Sequence, residues 1–163
     1  MRRTLFVVVV VALAASCGGG GGQRSSGPVV TKAGLGQPVR DEDFEFTVLG
    51  VQCGVSSIPG AFNEKASGQF CVARVRVKNV NGDPHHTLFD SSQYLFDQSG
   101  KRFSANVRAN LDANTSTVAF LQEIGTGTTV EGVLVYDVPL GDRPTRMELH
   151  STSISRGVVV EVT

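Results

Sequence analysis

The strongest constraint on the fold of this chain is a strict alternation of side chains in residues 69–80. One parity is apolar and the other is basic, with Cys71, Ala73, Val75 and Val77 on the first and Arg74, Arg76 and Lys78 on the second. Successive side chains of a β-strand point to opposite faces of its sheet. The segment is therefore predicted to form a strand with one buried face and one solvent-exposed face.

The other candidate strands show an alternation or a short apolar run. Residues 44–48 alternate apolar and polar side chains, and the parity changes at Leu49, which predicts a β-bulge near Val48 and Leu49. Both faces of residues 130–138 are apolar, which predicts a central position for this strand in a stack of two layers. The remaining candidate strands are residues 94–96, 118–121 and 158–162.

Turn-forming residues separate these segments, and we find no sustained helical period in the sequence. Residues 56–67 are polar and are interpreted as a loop, with Pro59 and Gly60 at its turn. Met147 and Leu149 alternate with the polar side chains of Arg146, Glu148 and His150, which predicts a further strand. Short strands between turns predict an all-β chain, and an immunoglobulin-like antiparallel β-sandwich is the preferred topology.

The first residues have the order of a secretory signal peptide. A basic start at Arg2 and Arg3 precedes an apolar run over residues 5–15, which is too short to span a bilayer. Ala14, Ala15 and Ser16 then lead directly into Cys17, and this arrangement resembles the lipobox of bacterial lipoproteins. The resemblance implies cleavage after residue 16 and a diacylglycerol on Cys17; the alternative is an ordinary secretory signal with an unrelated cysteine.

The segment after Cys17 is rich in glycine and serine and is interpreted as a flexible tether. We therefore expect a signal peptide at residues 1–16, a lipidated cysteine and linker at 17–33, and a folded domain at 34–163. Stable anchoring requires more than one acyl chain, which a lipidated Cys17 would supply. The expected location is the extracytoplasmic face of the cell membrane, with the membrane contacted through this lipid anchor.

The charge of the chain argues against two classes of partner. Its 15 Lys and Arg residues balance 15 Asp and Glu residues, and loss of Arg2 and Arg3 with a leader makes the mature chain slightly acidic. Nucleic-acid-binding domains carry a basic patch, and so do segments that bind anionic lipid. We therefore expect no nucleic-acid partner for the domain.

The three cysteines divide into one anchor residue and one pair. Cys53 and Cys71 both fall on predicted inward faces, and the compartment outside the membrane is oxidising, which favours a disulfide between them. In the chain-entropy treatment such a bridge stabilises the fold by about 3 kcal/mol. Two buried free thiols are the alternative, whereas the spacing is unlike the Cys-x-x-Cys of redox enzymes.

Several segments in order resemble one known family. They are residues 44–48 with the cysteine that follows, 68–71 entering 75–79, 97–101, 132–136 and 138–139. Together they resemble the telokin-like, immunoglobulin-like domain of unknown function found on many Gram-positive, notably actinobacterial, surface lipoproteins and secreted antigens. The resemblance covers residues 34–163 and implies a β-sandwich in an extracellular place, with no catalytic residues to transfer.

The sequence contains no constellation that names a reaction or a ligand. His85 and His86 are adjacent in a turn-rich region without ligands at metal spacing, and are interpreted as solvated loop residues. The glycines at 125 and 127 are interpreted as a turn between strands rather than part of a dinucleotide fingerprint. We therefore predict no catalytic residues, no metal site and no cofactor, and assign no ligand-binding residues.

Two functions follow from these features. The leading hypothesis is a non-catalytic binding or interaction module displayed on the membrane, which predicts a contiguous apolar or aromatic patch on one sheet or loop end. The alternative is an accessory subunit or small-ligand carrier of an envelope transport or assembly system, which predicts a concave pocket. An envelope protein is the expected partner in both, and the oligomeric state is left open; an enzyme is the least favoured class.

Overall fold

The computed structural model of the protein describes residues 33–81, 86–115, 120 and 122–163. The predicted signal peptide, Cys17 and nearly all of the tether lie outside these residues, as does His85. Of the candidate strand at residues 118–121, only Phe120 is described, and its side chain is buried. Among the described residues no helix has the length and apolar character that crossing a membrane requires.

Strands account for most of the described secondary structure. The strands are β1 Val39–Asp41, β2 Phe44–Ile58, β3 Glu64–Asn79, β4 His86–Thr87, β5 Tyr94–Asp97, β6 Arg102–Ser104, β7 Glu123–Ile124, β8 Thr129–Val138, β9 Pro144–Leu149 and β10 Val158–Glu161. One α-helix, α1 Val107–Ala113, and a 3-10 turn at Asp90–Ser92 complete the described elements.

The strands form two four-stranded antiparallel sheets that pack as a sandwich. The first sheet has the order β1-β2-β3-β8 and the second sheet has the order β10-β9-β5-β6, while β4 and β7 form a separate pair. The chain passes from the first sheet to the second after β3 and again after β8. Strand β3 pairs with β8 in the first sheet, and β5 pairs with β9 in the second sheet. This is the connectivity of an immunoglobulin-like sandwich, and the predicted all-β fold is confirmed.

The core lies between the two sheets and is built from the predicted inward parity. Phe44, Phe46 and Val75 of the first sheet are fully buried, and so are Leu95 and Met147 of the second sheet. Each such side chain stabilises the fold by about 1.5–3 kcal/mol relative to an exposed one. The basic parity of β3 lies on the opposite face and is exposed, as predicted.

The β-bulge predicted in β2 is confirmed, whereas the loop predicted at residues 56–67 is wrong. Val48 pairs with Val75 and Gly50 pairs with Arg74, so the register shifts between them. Ser57 still pairs with Lys65, which leaves only residues 59–63 as the turn. Polar side chains are compatible with strand here because the hairpin extends past the sandwich core, where more of its surface is exposed.

The central position predicted for β8 is also wrong, because β8 ends the first sheet. Its outward side chain Val135 is buried against Ala109 of α1, in a second apolar cluster that includes Phe70 and Ile58. Apolar side chains on both faces of β8 therefore result from a helix packed on the outside of the sheet. This helix was not predicted from the sequence.

The tip of the β2–β3 hairpin holds α1 in place. The backbone N–H of Phe62 donates to both carboxylate oxygens of Asp112, at 3.1 and 3.2 Å. Arg108 forms an ion pair with Glu64 at 2.7 Å, and its guanidinium lies 4.9 Å from the ring centroid of Phe62. These contacts connect the hairpin tip to the helix across the second apolar cluster.

Candidate functional site

The disulfide between Cys53 and Cys71 joins the adjacent strands β2 and β3 within the first sheet. The two Cα atoms are 4.0 Å apart, and the bridge closes a sequence separation of 18 residues. Cys71 is fully buried in the main core, and Cys53 is partly buried against it, so both lie on the inward side as predicted. This placement makes the bridge a cross-link of the scaffold.

A second bulge aims Cys53 at its partner. The register changes from Gln52 opposite Val72 to Val55 opposite Phe70, which leaves two residues of β2 facing Cys71. Gly54 is one of them and has a φ of 90°, a conformation that glycine adopts without steric cost. The glycine after Cys53 is therefore part of the geometry that brings the sulfurs together.

His150 lies at the centre of a buried polar cluster. Its Nε2 atom is 2.9 Å from Oε1 of Glu148, and its Nδ1 atom is 3.1 Å from the backbone oxygen of Ser155. The ring also packs edge-on against Tyr94, with centroids 5.8 Å apart. His150 follows the last residue of β9, where the chain leaves the sheet and folds back over the ring.

The hydroxyl groups beside His150 are bound to Asp41 and to the backbone. The Asp41 carboxylate accepts from the Ser155 hydroxyl at 2.6 Å and from the Ser151 N–H at 2.7 Å. The Ser151 hydroxyl donates to the Asp41 carbonyl and accepts from the Phe44 N–H at 3.2 Å. The cluster therefore fixes the loop of residues 150–157 to the β1–β2 turn.

The remaining histidines offer no described ligand set. His86 pairs with Ile124 through the short β4–β7 ladder rather than lying in a loop, and His85 lies outside the described residues. Within the part of the chain that the structure describes, no group of three or more His, Cys, Asp or Glu side chains is arranged to hold a metal ion.

The outer face of the second sheet carries an arrangement that sequence reasoning did not identify. Tyr94 and Phe96 of β5 point outward because Leu95 between them is buried in the core. Phe96 is paired with Arg102 of β6 on one side and with Arg146 of β9 on the other. We call these four residues, Tyr94, Phe96, Arg102 and Arg146, the arginine–aromatic face.

Both arginines of this face stack on aromatic rings. The guanidinium carbon of Arg102 is 4.5 Å from the ring centroid of Tyr94, and that of Arg146 is 4.2 Å from the centroid of Phe96. Such cation–π contacts contribute about 0.5–1 kcal/mol at exposed sites. The only sequence signal for the face is the outward parity of these residues, because their contact depends on the order of β9, β5 and β6 in the sheet.

The described cavities are open surface grooves or very small. One groove of about 330 Å³ lies on the outer side of the first sheet beside Gly50, Val72 and Arg74. Another of about 640 Å³ lies at the sandwich end beside Lys101 and Leu140. The most enclosed space, next to Asp90, Asn110 and Phe120, holds about 10 Å³, which is the room of a single water molecule.

The chain belongs to the family described as Domain of unknown function (DUF4352). The model of this family matches residues 33–159, which is most of the chain. The predicted resemblance to a β-sandwich domain of unknown function is confirmed at this level. The comparison with curated proteins found no significant match.

Solved structures with the same fold come from secreted and uncharacterised bacterial proteins. A secreted protein of Mycobacterium tuberculosis, MPT63, superposes with a TM-score of 0.62 at 18% identity, over 81% of this chain and 97% of that one. The yjhA protein from Bacillus subtilis superposes with a TM-score of 0.58 at 16% identity, over 80% of this chain and 99% of that one. At these identities the likeness establishes the β-sandwich fold alone.

Proposed function

We propose that the protein is a membrane-anchored extracytoplasmic lipoprotein of the actinobacterial type, whose β-sandwich acts as a non-catalytic interaction module. The observation that carries the interaction role is the arginine–aromatic face on the outer side of the second sheet, where Arg102 is exposed and Tyr94 is partly exposed. Aromatic and arginine side chains are enriched in protein interfaces and among the residues that dominate binding energy. The sequence predicted a contiguous apolar or aromatic patch; this face differs because arginines lie over its rings and Phe96 is buried.

The proposed location rests on three features. Cys17 follows three small residues at the end of a short apolar leader, as in the lipobox of bacterial lipoproteins. The Cys53–Cys71 bridge fits an oxidising compartment, since disulfides persist outside the cytosol. MPT63, which has the same fold, is a secreted protein, and this location supports an extracytoplasmic place for the present chain.

The non-catalytic part of the proposal is supported by the buried polar cluster. The Ser155 and Ser151 hydroxyls bind Asp41, and the His150 ring nitrogens face Glu148 and a backbone oxygen. These side chains thus hold the loop after β9 in place. A scaffold role explains them without a reaction.

The carrier alternative receives less support than the interaction module. A small-ligand carrier needs a concave pocket that buries most of its ligand, often of about 300–1,000 Å³. The described inward faces of both sheets are filled by packed side chains, and the two larger spaces are open grooves on the surface. No observation therefore favours the carrier over the interaction module.

The anchor is tested by the intact mass of the protein extracted from its native membrane. We expect the mass of a chain that begins at Cys17 and carries a diacylglycerol, with a gain of two hydrogens on reduction of the bridge. A Cys17→Ala variant should lose the lipid, whereas Cys53→Ser should retain it. A wild-type chain that is recovered soluble and without lipid would contradict the lipoprotein assignment.

The interaction role is tested by proximity crosslinking on intact cells, with the anchored protein as bait. We expect one reproducible envelope protein among the crosslinked products, and its loss when Cys17→Ala removes the bait from the membrane. Products that match the bulk composition of the envelope, with none enriched over a lipidated unrelated bait, would argue against an interaction module.

A further inference from the structure

The arginine–aromatic face carries the positive charges of Arg102 and Arg146 on the outer side of the second sheet. Neither Arg102 nor Arg146 forms an ion pair with a carboxylate in the part of the chain that the structure describes. By contrast, the exposed Arg76 of the first sheet lies 2.6 Å from Glu131. The guanidinium groups of Arg102 and Arg146 therefore keep their N–H donors without a described carboxylate partner, whereas those of Arg76 and Arg108 are paired.

Two carboxylates share this outward face, and neither forms a described ion pair with Arg102 or Arg146. Glu148, on β9 between the face and the loop after it, is bound to the His150 ring at 2.9 Å. Glu161 pairs in register with Arg146, yet the Arg146 guanidinium lies over the Phe96 ring instead. Stacking on the ring thus takes the place of a salt bridge that the sheet register would permit.

Stacking also orients the guanidinium groups for a ligand. A guanidinium carries five N–H donors in a planar fork that matches the two oxygens of a carboxylate. When one flat side rests on an aromatic ring, the N–H edges stay free to donate, and the side chain loses little freedom on binding. Arg102 and Arg146 flank the same strand, so both forks face the same sheet surface.

We propose that the arginine–aromatic face binds an acidic peptide segment of a partner protein through Arg102 and Arg146. This proposal rests on the interaction function above and specifies the chemistry of the partner. Carboxylates of the segment accept from the two guanidinium forks, and apolar side chains between them contact the partly exposed Tyr94 ring. A peptide offers both groups, whereas a purely anionic polymer offers charge without apolar contact.

The binding test uses the full chain in a neutral detergent. The probe is a short fluorescent peptide of glutamate, leucine and glycine, with a matched peptide in which glutamine replaces every glutamate. We expect saturable binding of the acidic peptide that weakens with added salt, and no saturable binding of the glutamine peptide. The double variant R102Q/R146Q should bind the acidic peptide about tenfold more weakly or worse.

Two further double variants make the test specific. R74Q/R156Q removes two exposed arginines elsewhere, and we expect its affinity to stay within about twofold of wild type. R102K/R146K keeps the charge but loses the planar forks, and we expect it to bind several-fold more weakly. Thermal unfolding of all three variants should stay close to wild type, which separates lost binding from lost folding.

Equal affinity of R102Q/R146Q and wild type would overturn the assignment of this face. Inorganic polyphosphate that binds as tightly as the peptide, with the same variant dependence, would overturn the peptide and indicate a general anion site. The test is independent of the crosslinking experiment. If an envelope partner is crosslinked equally well by R102Q/R146Q, the interaction function stands and this face is not its site.

Discussion

At the scale of single residues, the Tyr136 hydroxyl is the least satisfied group in the described core. The side chain is fully buried in the main core, and its hydroxyl has no hydrogen-bond partner in the described structure. Burial raises the pKa of Tyr136 well above its ordinary value of 10.0, and the negative charge of Asp90 adds to this shift. The hydroxyl is therefore neutral in the folded protein and has lost its bonds to water.

Removing this hydroxyl is predicted to stabilise the protein. A buried polar group without a partner costs about 1–3 kcal/mol, and phenylalanine keeps the ring that fills the core. We expect Tyr136→Phe to raise the free energy of unfolding by about 1 kcal/mol in urea denaturation. The control Tyr94→Phe, on the partly exposed sheet face, should stay within about 0.5 kcal/mol of wild type. A loss of stability for Tyr136→Phe would show that the hydroxyl has a bound partner.

Asp97 is a second residue whose environment sets its charge. The pKa of Asp97 is lowered from its ordinary value of 3.8, first by the Ser99 hydroxyl and then by backbone N–H groups that include that of Lys101, while burial opposes the shift. The Ser99 hydroxyl lies 2.7 Å from the carboxylate and the Lys101 N–H lies 2.9 Å from it. The ionised carboxylate thus closes the turn between β5 and β6.

The sign of this shift predicts how acid affects the turn. The pKa of Asp97 is lower in the folded protein than in the unfolded chain. The ionised carboxylate therefore stabilises the fold fully at pH values above the unfolded pKa, and this stabilisation is lost as the pH falls through the folded pKa. Asp97→Asn should therefore melt below wild type near neutral pH, with a difference that shrinks as the solution is acidified below about pH 4. Melting temperatures measured across this range, with Asp142→Asn as a control, would test it. A difference that grows on acidification would contradict the prediction.

At the scale of elements, α1 substitutes for a missing strand at the edge of the first sheet. The Val135 N–H donates to the Asn110 side-chain oxygen at 2.7 Å, and the Val133 N–H donates to that of Asn114 at 2.9 Å. The Val135 carbonyl accepts from the Asn106 N–H at 2.7 Å. Asparagines spaced by four residues lie along one side of the helix, so they can satisfy successive backbone groups of β8.

Loss of one asparagine is therefore predicted to weaken the sheet edge. Asn110 also donates to the Asp90 carboxylate at 2.8 Å, so Asn110→Ala leaves both this carboxylate and the Val135 N–H without their partner. We expect the free energy of unfolding to fall by about 1–3 kcal/mol. Val107→Ala, at an exposed position of the same helix, should change it little. Equal stability of the two variants would mean that water replaces the asparagine.

The elements show which features the sequence could predict. Alternation located β3 and β9, because inward and outward side chains of a half-buried strand differ in polarity, whereas β5 and β10 were located as short apolar segments. The seven-residue helix α1 spans about two turns, which is too short for a helical period to emerge. Because α1 packs on the outer face of β8, this strand is apolar on both faces. A central strand has the same pattern, so the sequence could not distinguish the two positions.

Two of the three candidate sites are formed by contacts between residues distant in sequence, which a local sequence pattern does not predict. The cysteine pair could be predicted, since both residues fall on inward parities of neighbouring strands. His150 could not, because its burial results from the loop of residues 150–157 folding back onto Asp41. The arginine–aromatic face likewise required the order of β9, β5 and β6, which brings together residues that are far apart in sequence.

At the scale of the whole molecule, several strand edges are covered. The edge strand β10 forms a parallel bridge with Ala33, through Val160, and β8 is covered by α1. Exposed strand edges invite pairing with other chains, and covering them prevents it. The surfaces left for recognition at these positions are side-chain faces, which agrees with a partner bound on the outer face of the second sheet.

The Cys53–Cys71 disulfide links the stability of the domain to the oxidising compartment in which the bridge can form. The chain-entropy treatment gives about 3 kcal/mol for a closed loop of this length. We therefore expect the double variant Cys53→Ala/Cys71→Ala to lose about this free energy of unfolding in guanidinium chloride, and wild type to lose it on reduction. Cys17→Ala keeps the bridge and should unfold as wild type does. Unfolding insensitive to reductant would show that the native chain is not bridged.

Because the bridge lies in the first sheet, the reduced but folded protein should still bind the acidic peptide through Arg102 and Arg146.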